Sequence, residues 1–343
     1  MVLTLPATTR TAVFLTLDDI RIEQIPLRAP GPGEVLVRIR ACGLCSSETL
    51  PWYMARKAPA SLGHEPAGEI AAVGTGVEVV PGQRVFVHHH GPCLQCRACR
   101  RGDYVHCATW RSVRLVPGAL SEYAIVPREI VATDLLPLPE SVSDDAAVFV
   151  EPLACVVKSV RRARVRAGDR IAVIGLGVMG LLHLRLLRDL SPETLVGVDL
   201  LPERFDGARA AGADAVIVGG GDIATRVRDA TGGGADIVFI TPASVEAIRQ
   251  GYACVAPGGR LVIFAPVPPE DIWPLPVYDL FFREIEITPT YSAGPEDTRE
   301  ALRHLAGGLP VEPLISHRLP LERAAEGYRL VADGKALKVV VHP

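Results

Sequence analysis

Residues 170–180 read Arg-Ile-Ala-Val-Ile-Gly-Leu-Gly-Val-Met-Gly, an apolar run that leads into the pattern Gly175-x-Gly177-x-x-Gly180. The run predicts a buried β-strand, and residues 178–189 are predicted to form the helix that follows it. A glycine loop at this junction is typical of the site where a parallel α/β domain binds a dinucleotide. Gly175 would allow the tight turn, Gly177 the close approach of a pyrophosphate, and Gly180 the packing of helix on strand.

The next predicted strand, TLVGVD, ends at Asp199, which lies 19 residues after Gly180. The backbone N–H groups of Val178 and Met179 would face the phosphates at the positive end of the helix. Asp199 would accept hydrogen bonds from the ribose hydroxyls and repel a 2′-phosphate, so NAD is favoured over NADP. Arg204 could reach the ribose or the phosphates, which keeps NADP as an alternative. A structural glycine turn with a helix-capping aspartate is the alternative without a cofactor.

Short strands alternate with helical stretches throughout residues 154–291, which predicts a doubly wound parallel sheet with helices on both faces, as in a Rossmann domain. The first 150 residues are instead rich in predicted strands, such as EVLVRIRA. A last strand, KALKVVVH, could return to that β-rich part. The sequence therefore predicts one domain of residues 1–153, completed by 292–343, and a dinucleotide-binding domain of residues 154–291.

Charge and hydropathy exclude several classes of partner. The formal net charge of the 343 residues is −3, and the chain has no basic stretch typical of nucleic-acid binding. No window approaches the roughly 18 apolar residues of a membrane helix, and the N-terminal residues lack a secretion signal. We therefore expect a cytoplasmic protein with a small-molecule substrate, without nucleic acid or membrane as a partner.

Four of the eight cysteines follow the spacing Cys93-x2-Cys96-x2-Cys99-x7-Cys107. Four thiolates around zinc form a closed tetrahedron without a vacant position, so such a site holds a loop and binds no substrate. Disulfides are the alternative, but they are disfavoured in a long chain without an export signal. This segment therefore predicts a structural zinc site.

A different set of residues could form an open metal site. Its candidates are the thiols of RACGLCSSETL (residues 40–50), the pair His64-Glu65 in LGHEPAGEI, and Glu151 in FVEPLAC. Thiolate, imidazole and carboxylate groups are all ligands of catalytic zinc, which keeps one coordination position for substrate. The sequence alone leaves open which cysteine and which glutamate take part.

The run Gly63-His64-Glu65, followed by Gly68, Gly74 and Val77, resembles the zinc signature of the medium-chain dehydrogenase/reductase family. The four-cysteine segment and the glycine loop with its trailing aspartate stand where that family has them. The resemblance covers essentially the whole chain and extends to alcohol, polyol and threonine dehydrogenases. It implies a β-rich GroES-like catalytic domain, a Rossmann domain, and two Zn²⁺ ions per chain, one catalytic and one structural.

The resemblance also implies the ligands of the catalytic zinc. In the family, the ligand thiol directly precedes x-Ser/Thr-Asp, which corresponds to Ser46-Ser47-Glu48 here, so Cys45 rather than Cys42 is the expected ligand. His64 is the second ligand. Glu65 and Glu151 are expected to complete the metal shell directly or through water, and which of them binds directly stays open.

Proton transfer is where the chain departs from the family. Ser47 occupies the position of the family's relay hydroxyl, and Glu48 replaces the usual aspartate that orients the zinc-binding histidine. Leu50 replaces a frequent histidine at the outer end of the relay, so the proton is expected to leave through the ribose, water or another side chain. Zinc in such a site acts as a Lewis acid on an alcohol, whose hydride passes to the nicotinamide.

The expected activity is the oxidation of a secondary alcohol, such as a polyol, cyclitol or sugar, to a ketone, or the reverse. A threonine-type or simple secondary-alcohol dehydrogenase is the alternative, and a non-catalytic nucleotide- or zinc-binding protein is the alternative from another class. The family implies a homo-dimer or homo-tetramer, with EIEITP (residues 284–289) as the expected edge strand.

The run His88-His89-His90 is a further metal candidate. Consecutive residues of a strand point to opposite faces, so all three rings are not expected to converge on one ion. His90 is expected either at the border of the substrate cleft or on the surface.

Overall fold

The computed structural model describes residues 5–343. They form two compact units: the first comprises the described residues up to Ala154 together with Ala293–Pro343, and the second comprises Cys155–Ser292. The boundary between the units falls within one helix, which begins at Val150.

The described residues contain sixteen strands. In chain order they are β1 (Thr8–Thr16), β2 (Asp19–Pro26), β3 (Val35–Gly43), β4 (Ala60–Ser61), β5 (Glu65–Val73), β6 (Arg84–Val87), β7 (Tyr123–Val126), β8 (Leu135–Pro137), β9 (Arg170–Ile174), β10 (Thr194–Asp199), β11 (Ala215–Val218), β12 (Ala235–Ile240), β13 (Val255–Ile263), β14 (Glu286–Pro289), β15 (Ile315–Pro320) and β16 (Lys338–His342).

Thirteen α-helices and five short 3₁₀ turns connect the strands of this part of the chain. The helices are α1 (Pro51–Met54), α2 (Arg97–Arg100), α3 (Ala108–Ser112), α4 (Arg128–Asp134), α5 (Asp144–Ala147), α6 (Val150–Ala163), α7 (Val178–Arg188), α8 (Phe205–Ala210), α9 (Ile223–Thr231), α10 (Val245–Cys254), α11 (Val277–Phe282), α12 (Pro295–Ala306) and α13 (Ala324–Ala332). None of these helices is both long enough and apolar enough to cross a membrane.

The first unit is β-rich, in agreement with the sequence pattern. Its main sheet has the order β15-β16-β3-β5-β6-β8, with β7 also paired to β3, and β2-β1-β4 form a smaller sheet. Strand β3 alternates as predicted between Val37 and Arg40, with Val37 and Ile39 buried and the two arginines exposed. Its last residue, Gly43, lies opposite Glu65, the first residue of β5, and next to β16. The C-terminal strand therefore reaches the same end of the sheet as the His64-Glu65 pair.

The second unit is a doubly wound parallel sheet in the order β11-β10-β9-β12-β13-β14. Its central strands β9, β10 and β12 are buried apolar runs, as expected for strands covered on both faces of a sheet. The strand order reverses between β9 and β12, and a crevice opens at such a switch point beyond the carboxyl ends of the strands. The glycine loop follows β9 directly and therefore lies at this crevice.

Helix α7 approaches the loop before it very closely at Gly180. A Cβ atom on Gly180 would lie 1.8 Å from the carbonyl oxygen of Gly175 and 3.6 Å from Val173 Cγ1. Only a residue without a side chain lets the helix pack on β9 at this distance. The third glycine of the loop therefore has the packing role that the sequence predicted.

We expect Gly180→Ala to destabilise the protein by about 1–3 kcal/mol, because the added methyl group must push helix and loop apart. Gly207→Ala in α8 is the matched control, since its Cβ would first meet Leu181 Cδ1 at 3.7 Å, an ordinary contact. The control should be neutral or stabilising by up to about 1 kcal/mol. Urea unfolding without cofactor measures both, and equal effects would contradict this account of the helix packing.

Candidate active site

The four cysteines of residues 93–107 meet in space. Their sulfur atoms all lie within 4.8 Å of one another, with Cys96 and Cys99 3.5 Å apart and Cys107 and Cys93 3.6 Å apart. All four are free thiols rather than disulfides. Burial would raise the pKa of Cys107, but hydrogen bonds from backbone N–H groups, first that of Cys93, lower this pKa to about 6. A zinc ion fits this set of four sulfur atoms and would leave no vacant position for substrate.

A second group of possible metal ligands consists of Cys45, His64 and Glu65, whose ligand atoms also lie within 4.8 Å of one another. Cys45 precedes a 3₁₀ turn that follows β3, and His64 directly precedes β5. The pairing of Gly43 with Glu65 at the ends of these strands brings the three side chains together. A thiolate, an imidazole and a carboxylate suit a zinc ion with one position left for substrate.

Glu48 holds the ring of His64. Its Oε1 lies 3.2 Å from His64 Nδ1 and accepts the backbone N–H of Gly63 at 3.0 Å. Its Oε2 accepts the hydroxyl of Tyr328, at 2.5 Å, from helix α13. Because Nδ1 faces Glu48, the other ring nitrogen remains for a metal ion. Glu48, which replaces the family's usual aspartate, therefore contacts the ring of His64 as that aspartate is expected to do.

Burial and charge act against each other in this pair. Burial would raise the pKa of Glu48, but the charge of His64 and the hydrogen bonds to the carboxylate lower it below the usual value. Burial would likewise lower the pKa of His64, but the charges of Glu48 and Cys45 raise it well above its ordinary range. Glu48 is therefore held as a carboxylate against the imidazole.

Lys338 is a residue of this site that the sequence analysis did not identify. Its side chain is 2 % exposed, and its Nζ donates to Glu65 Oε2 and, at 3.3 Å, to the carbonyl of Leu44. Burial would lower the pKa of Lys338, but the charge of Glu65 raises it. The one available signal was a lysine at the start of the otherwise apolar strand KVVVH, among only four lysines in the chain.

Gly43 leaves the space that this ion pair occupies. A Cβ atom at Gly43 would lie 2.0 Å from Glu65 Oε2 and 2.7 Å from Lys338 Cε. Burial raises the pKa of Glu65, and the charge of Lys338 acts to lower it. Lys338 therefore fixes one carboxylate oxygen of Glu65.

The carboxylate of Glu151 lies close to His88 and His89 rather than in the Cys45 group. Its ligand atom groups with those of His88 and His89 within 4.8 Å, whereas the Cys45 group is completed by Glu65. The charge of Glu151 nevertheless acts to raise the pKa of Glu65, so the two carboxylates are near each other. The two glutamates thus group with different side chains, and which of them would bind zinc directly stays a prediction.

The run His88-His89-His90 does not lie in a strand, in contrast to the expectation from sequence. Strand β6 ends at Val87, so the alternation of faces does not apply to the next residues, and His88 and His89 offer ligand atoms to the same group. His90 stands outside this group and is only 5% exposed, so the expected surface position is wrong. Its ring stacks on Trp110 with centroids 3.7 Å apart, and its Nδ1 lies 2.9 Å from Arg114 Nη1.

Burial is the largest effect on the pKa values of His89 and His90. Burial, followed by the charges of His90 and His88, lowers the pKa of His89 well below its ordinary value. Burial, followed by the charges of His88 and Arg114, also lowers the pKa of His90. Both rings are therefore neutral near neutral pH, and a neutral imidazole has a lone pair for a metal ion.

The remaining residues of the RACGLCSSETL stretch differ in their surroundings. Ser47 Oγ lies 3.3 Å from Cys45 Sγ, whereas Ser46 is exposed. Cys42 is fully buried in β3, and burial raises the pKa of its thiol to about 12. Leu50 offers no group that could carry a proton.

The glycine loop of the second unit has the shape of a cofactor cradle. Gly175 has a φ of +89°, and its Cβ would lie 2.5 Å from Thr241 Oγ1. At Gly177, by contrast, the nearest atom to an added Cβ is Arg204 Nη1 at 4.0 Å, so the space above this glycine is open. Helix α7 begins at the next residue, Val178, followed by Met179. A pyrophosphate fits this open space at the positive end of the helix.

Asp199 ends β10 beside this loop and is 7 % exposed. Its Oδ2 accepts the backbone N–H of Leu176 at 2.6 Å and Arg204 Nη1 at 3.1 Å, and its Oδ1 accepts the backbone N–H of Leu201 at 2.9 Å. The carboxylate is therefore fixed at the edge of the cradle, with Arg204 directly beside it. Its binding to a ribose stays a prediction.

Comparison with known proteins matches two family models to the chain. Residues 31–140 match the alcohol dehydrogenase GroES-like domain, and residues 169–307 match the zinc-binding dehydrogenase domain. The chain is 29% identical to a sorbitol dehydrogenase of Bacillus subtilis, over 99% of both chains. It is 30% identical to an erythritol/L-threitol dehydrogenase of Mycolicibacterium smegmatis, over 95% of each.

A solved structure of a zinc-binding dehydrogenase from Sinorhizobium meliloti, bound to NADP, superposes with a TM-score of 0.86 at 25% identity, over 98% of this chain and 100% of that one. The strand order of the second unit, the β-rich first unit and the two cysteine-containing ligand groups agree with these matches. The chain therefore belongs to the family of zinc-dependent medium-chain dehydrogenases.

Proposed function

We propose that this chain is a zinc-dependent oxidoreductase that transfers hydride between a secondary alcohol and NAD, interconverting alcohol and ketone. The observation that carries the proposal is the meeting of Cys45, His64 and Glu65 around one point in the first unit. The glycine cradle of the second unit supports it. Polyols are the preferred substrates, because the relatives named above act on sorbitol, erythritol and threitol.

Zinc bound by Cys45, His64 and Glu65 would act as a Lewis acid that lowers the pKa of an alcohol hydroxyl, and bound NAD would accept the hydride. Glu48 and Tyr328 orient the His64 ring for this purpose, and Lys338 orients Glu65. Such buried partners hold metal ligands in one rotamer and adjust their basicity. Cys93, Cys96, Cys99 and Cys107 would hold the structural zinc.

The cofactor contacts are proposed for the second unit. The backbone of Gly175, Gly177, Val178, Met179 and Gly180 would bind the pyrophosphate, since the open space lies there. Asp199 would accept the ribose hydroxyls and disfavour a 2′-phosphate. Arg204 beside it supplies a positive charge that could still hold such a phosphate, in keeping with the relative solved with NADP. We therefore propose NAD as the preferred cofactor and NADP as the weaker one.

We propose a cytoplasmic setting on the basis of the thiols. All eight cysteines are free, and free thiols persist in a reducing compartment. We place the protein in the cytoplasm on this ground.

The activity is tested by NADH absorbance on a panel of polyols, inositols, aldoses, amino alcohols and simple secondary alcohols, with NAD and NADP in parallel. We expect oxidation of polyols with a higher kcat/KM for NAD, and its loss on chelation. Cys45→Ala should abolish turnover and remove one zinc equivalent. Cys42→Ala, three residues away, should keep both activity and metal, because its thiol faces the core.

Turnover retained by Cys45→Ala would contradict the proposed centre. Preference for threonine or another amino alcohol would move the enzyme to that branch of the family. Absence of turnover with every alcohol, with both cofactors and an intact zinc content, would favour a binding protein without catalysis.

We propose that Ser47 passes the proton from the alcohol to its surroundings. Its hydroxyl is next to the Cys45 thiol, and a positioned proton carrier contributes about 10²–10⁴-fold in rate. Ser47→Ala should lower kcat by at least about 10²-fold with unchanged zinc content. Ser46→Ala, at the exposed neighbouring position, should leave kcat unchanged. Full activity of Ser47→Ala would refute the relay.

We also propose that the chain forms a homo-oligomer through its second unit. Helix α11 and the segment before it expose large apolar side chains, each between 62% and 79% exposed: Ile272, Val277, Tyr278, Phe281 and Phe282. Strand β14, which follows this helix, is an edge of the parallel sheet. An exposed apolar patch next to an unpaired strand edge is typical of a surface covered by a second copy.

The double variant Phe281→Asp/Phe282→Asp should reduce the mass measured by light scattering after size exclusion, because two charges would have to be buried at the interface. Val80→Asp, at a 61% exposed apolar position of the first unit, is the control and should not change the mass. A wild-type monomer, or an unchanged oligomer in the double variant, would contradict this interface. The wild-type mass also decides between a dimer and a tetramer.

A further inference from the structure

Helix α7 of the second unit contains a histidine among buried leucines. His183 is 0% exposed, as are Leu182 and Leu184 on either side of it. An imidazole loses its contacts with water on burial, so a leucine would occupy this position more favourably unless the ring makes hydrogen bonds. The bonds of the His183 ring therefore indicate its role.

The two ring nitrogens of His183 have different partners. Nδ1 lies 2.7 Å from the carbonyl oxygen of Met179, and Nε2 lies 2.6 Å from Oγ of Ser159, a fully buried residue of α6. A carbonyl only accepts, so Nδ1 carries the hydrogen and Nε2 accepts the hydroxyl of Ser159. Burial lowers the pKa of His183 to about 4, so the ring is neutral near neutral pH. Ser159 and Met179 thus fix one tautomer and one orientation of the ring.

Aromatic side chains hold the same ring from the side of the sheet. The ring centroid of Phe239, near the end of β12, is 4.9 Å from that of His183. Phe264, the residue after β13, meets the ring edge-on at 5.0 Å. Both phenylalanines lie toward the carboxyl ends of their strands, where the crevice opens. His183 therefore packs beneath the crevice that would receive the dinucleotide.

The carbonyl that His183 holds belongs to the first turn of α7. Met179 is the second residue of the helix, and its carbonyl is part of the planar peptide that leads to Gly180. Gly180 itself lies so close to the carbonyl of Gly175 that no Cβ would fit. The first turn is thus fixed by close packing at Gly180 and by a directional hydrogen bond at Met179. The backbone N–H groups predicted to face the pyrophosphate, those of Val178 and Met179, lie in this same turn.

We propose that His183 is a positioning residue for the dinucleotide, which it serves by fixing the first turn of α7, and that Ser159 sets the tautomer that this requires. The inference rests on the proposed function in taking NAD as the bound cofactor. A turn that is already ordered pays less conformational entropy when the pyrophosphate binds, so its fixation raises affinity. His183 acts through the backbone and does not contact the reacting atoms.

Three variants at this position separate the hydrogen bond from the packing. His183→Asn keeps an N–H donor at the place of Nδ1, His183→Gln moves its amide to the place of Nε2, and His183→Leu keeps an apolar side chain without either bond. Fluorescence titration with NADH measures the Kd without turnover. We expect the Kd to rise about 3- to 10-fold in His183→Gln and His183→Leu, as for the loss of one neutral hydrogen bond. His183→Asn should bind NADH as wild type does.

Steady-state kinetics give a second readout. In His183→Leu the KM for NAD should rise with the Kd, whereas kcat at saturating NAD should stay unchanged, because the reacting groups are untouched.

Thr231 in α9 offers a matched control for the loss of a buried hydrogen bond. Its hydroxyl also donates to the carbonyl four residues earlier, that of Val227, at 2.6 Å, and it is 5% exposed. Thr231 precedes β12 and so lies toward the amino ends of the parallel strands, away from the crevice. Thr231→Val should lower the Tm and leave the Kd for NADH unchanged.

Thermal unfolding of every variant shows whether affinity merely follows stability. Equal Kd values in wild type, His183→Gln and His183→Leu would overturn the positioning role and leave the proposed function intact. A Kd that rises in step with the loss of Tm, in His183→Asn and Thr231→Val as well, would assign His183 to stability alone. A wild-type chain that binds neither NADH nor NADPH would contradict the proposed function itself, and this inference with it.

Discussion

The structure of the first unit depends on the partners that two buried carboxylates find in a region largely shielded from solvent. Glu48 and Glu65 are both buried, and neither could stay charged there alone. Each has a partner from the C-terminal part of the chain: Tyr328 donates to Glu48, and Lys338 donates to Glu65. The return of the chain through α13 and β16 is thus a condition for the site as well as for the sheet.

The ligand groups of the chain differ in ways that match different tasks. The four-cysteine group offers four soft ligands and no vacancy, so it suits a loop that must keep its shape. The Cys45 group offers three possible ligands of mixed type, which would leave one position of a bound zinc ion open. The group of His88, His89 and Glu151 contains no sulfur and lies next to the Cys45 group. The β-rich unit thus contains one group of ligands suited to stabilising a loop and another suited to binding a substrate.

Glu65 and Glu151, which the sequence leaves as equivalent candidates, have different neighbours in the folded chain. Glu65 starts β5, faces Gly43 and is fixed by Lys338, which places its carboxylate beside Cys45. Glu151 lies near the start of α6, where its carboxylate groups with His88 and His89. The absence of a side chain at Gly43 is part of this difference, because any Cβ there would displace the Glu65 carboxylate.

The sequence by itself determined the features that short segments encode: the glycine loop on its strand and helix, the four-cysteine lobe, and the run Gly63-His64-Glu65. The residues of each feature are close together in the chain, so each can be identified from its sequence pattern. Only the tertiary structure decided what lies around them. Lys338 and Glu65 are 273 residues apart, and Tyr328 and Glu48 are 280 apart, so no local pattern links them. The end of β6 at Val87 likewise turned His88 and His89 toward Glu151, against strand alternation. Pairing across such distances follows from the register of β3, β5 and β16, which is a property of the folded sheet.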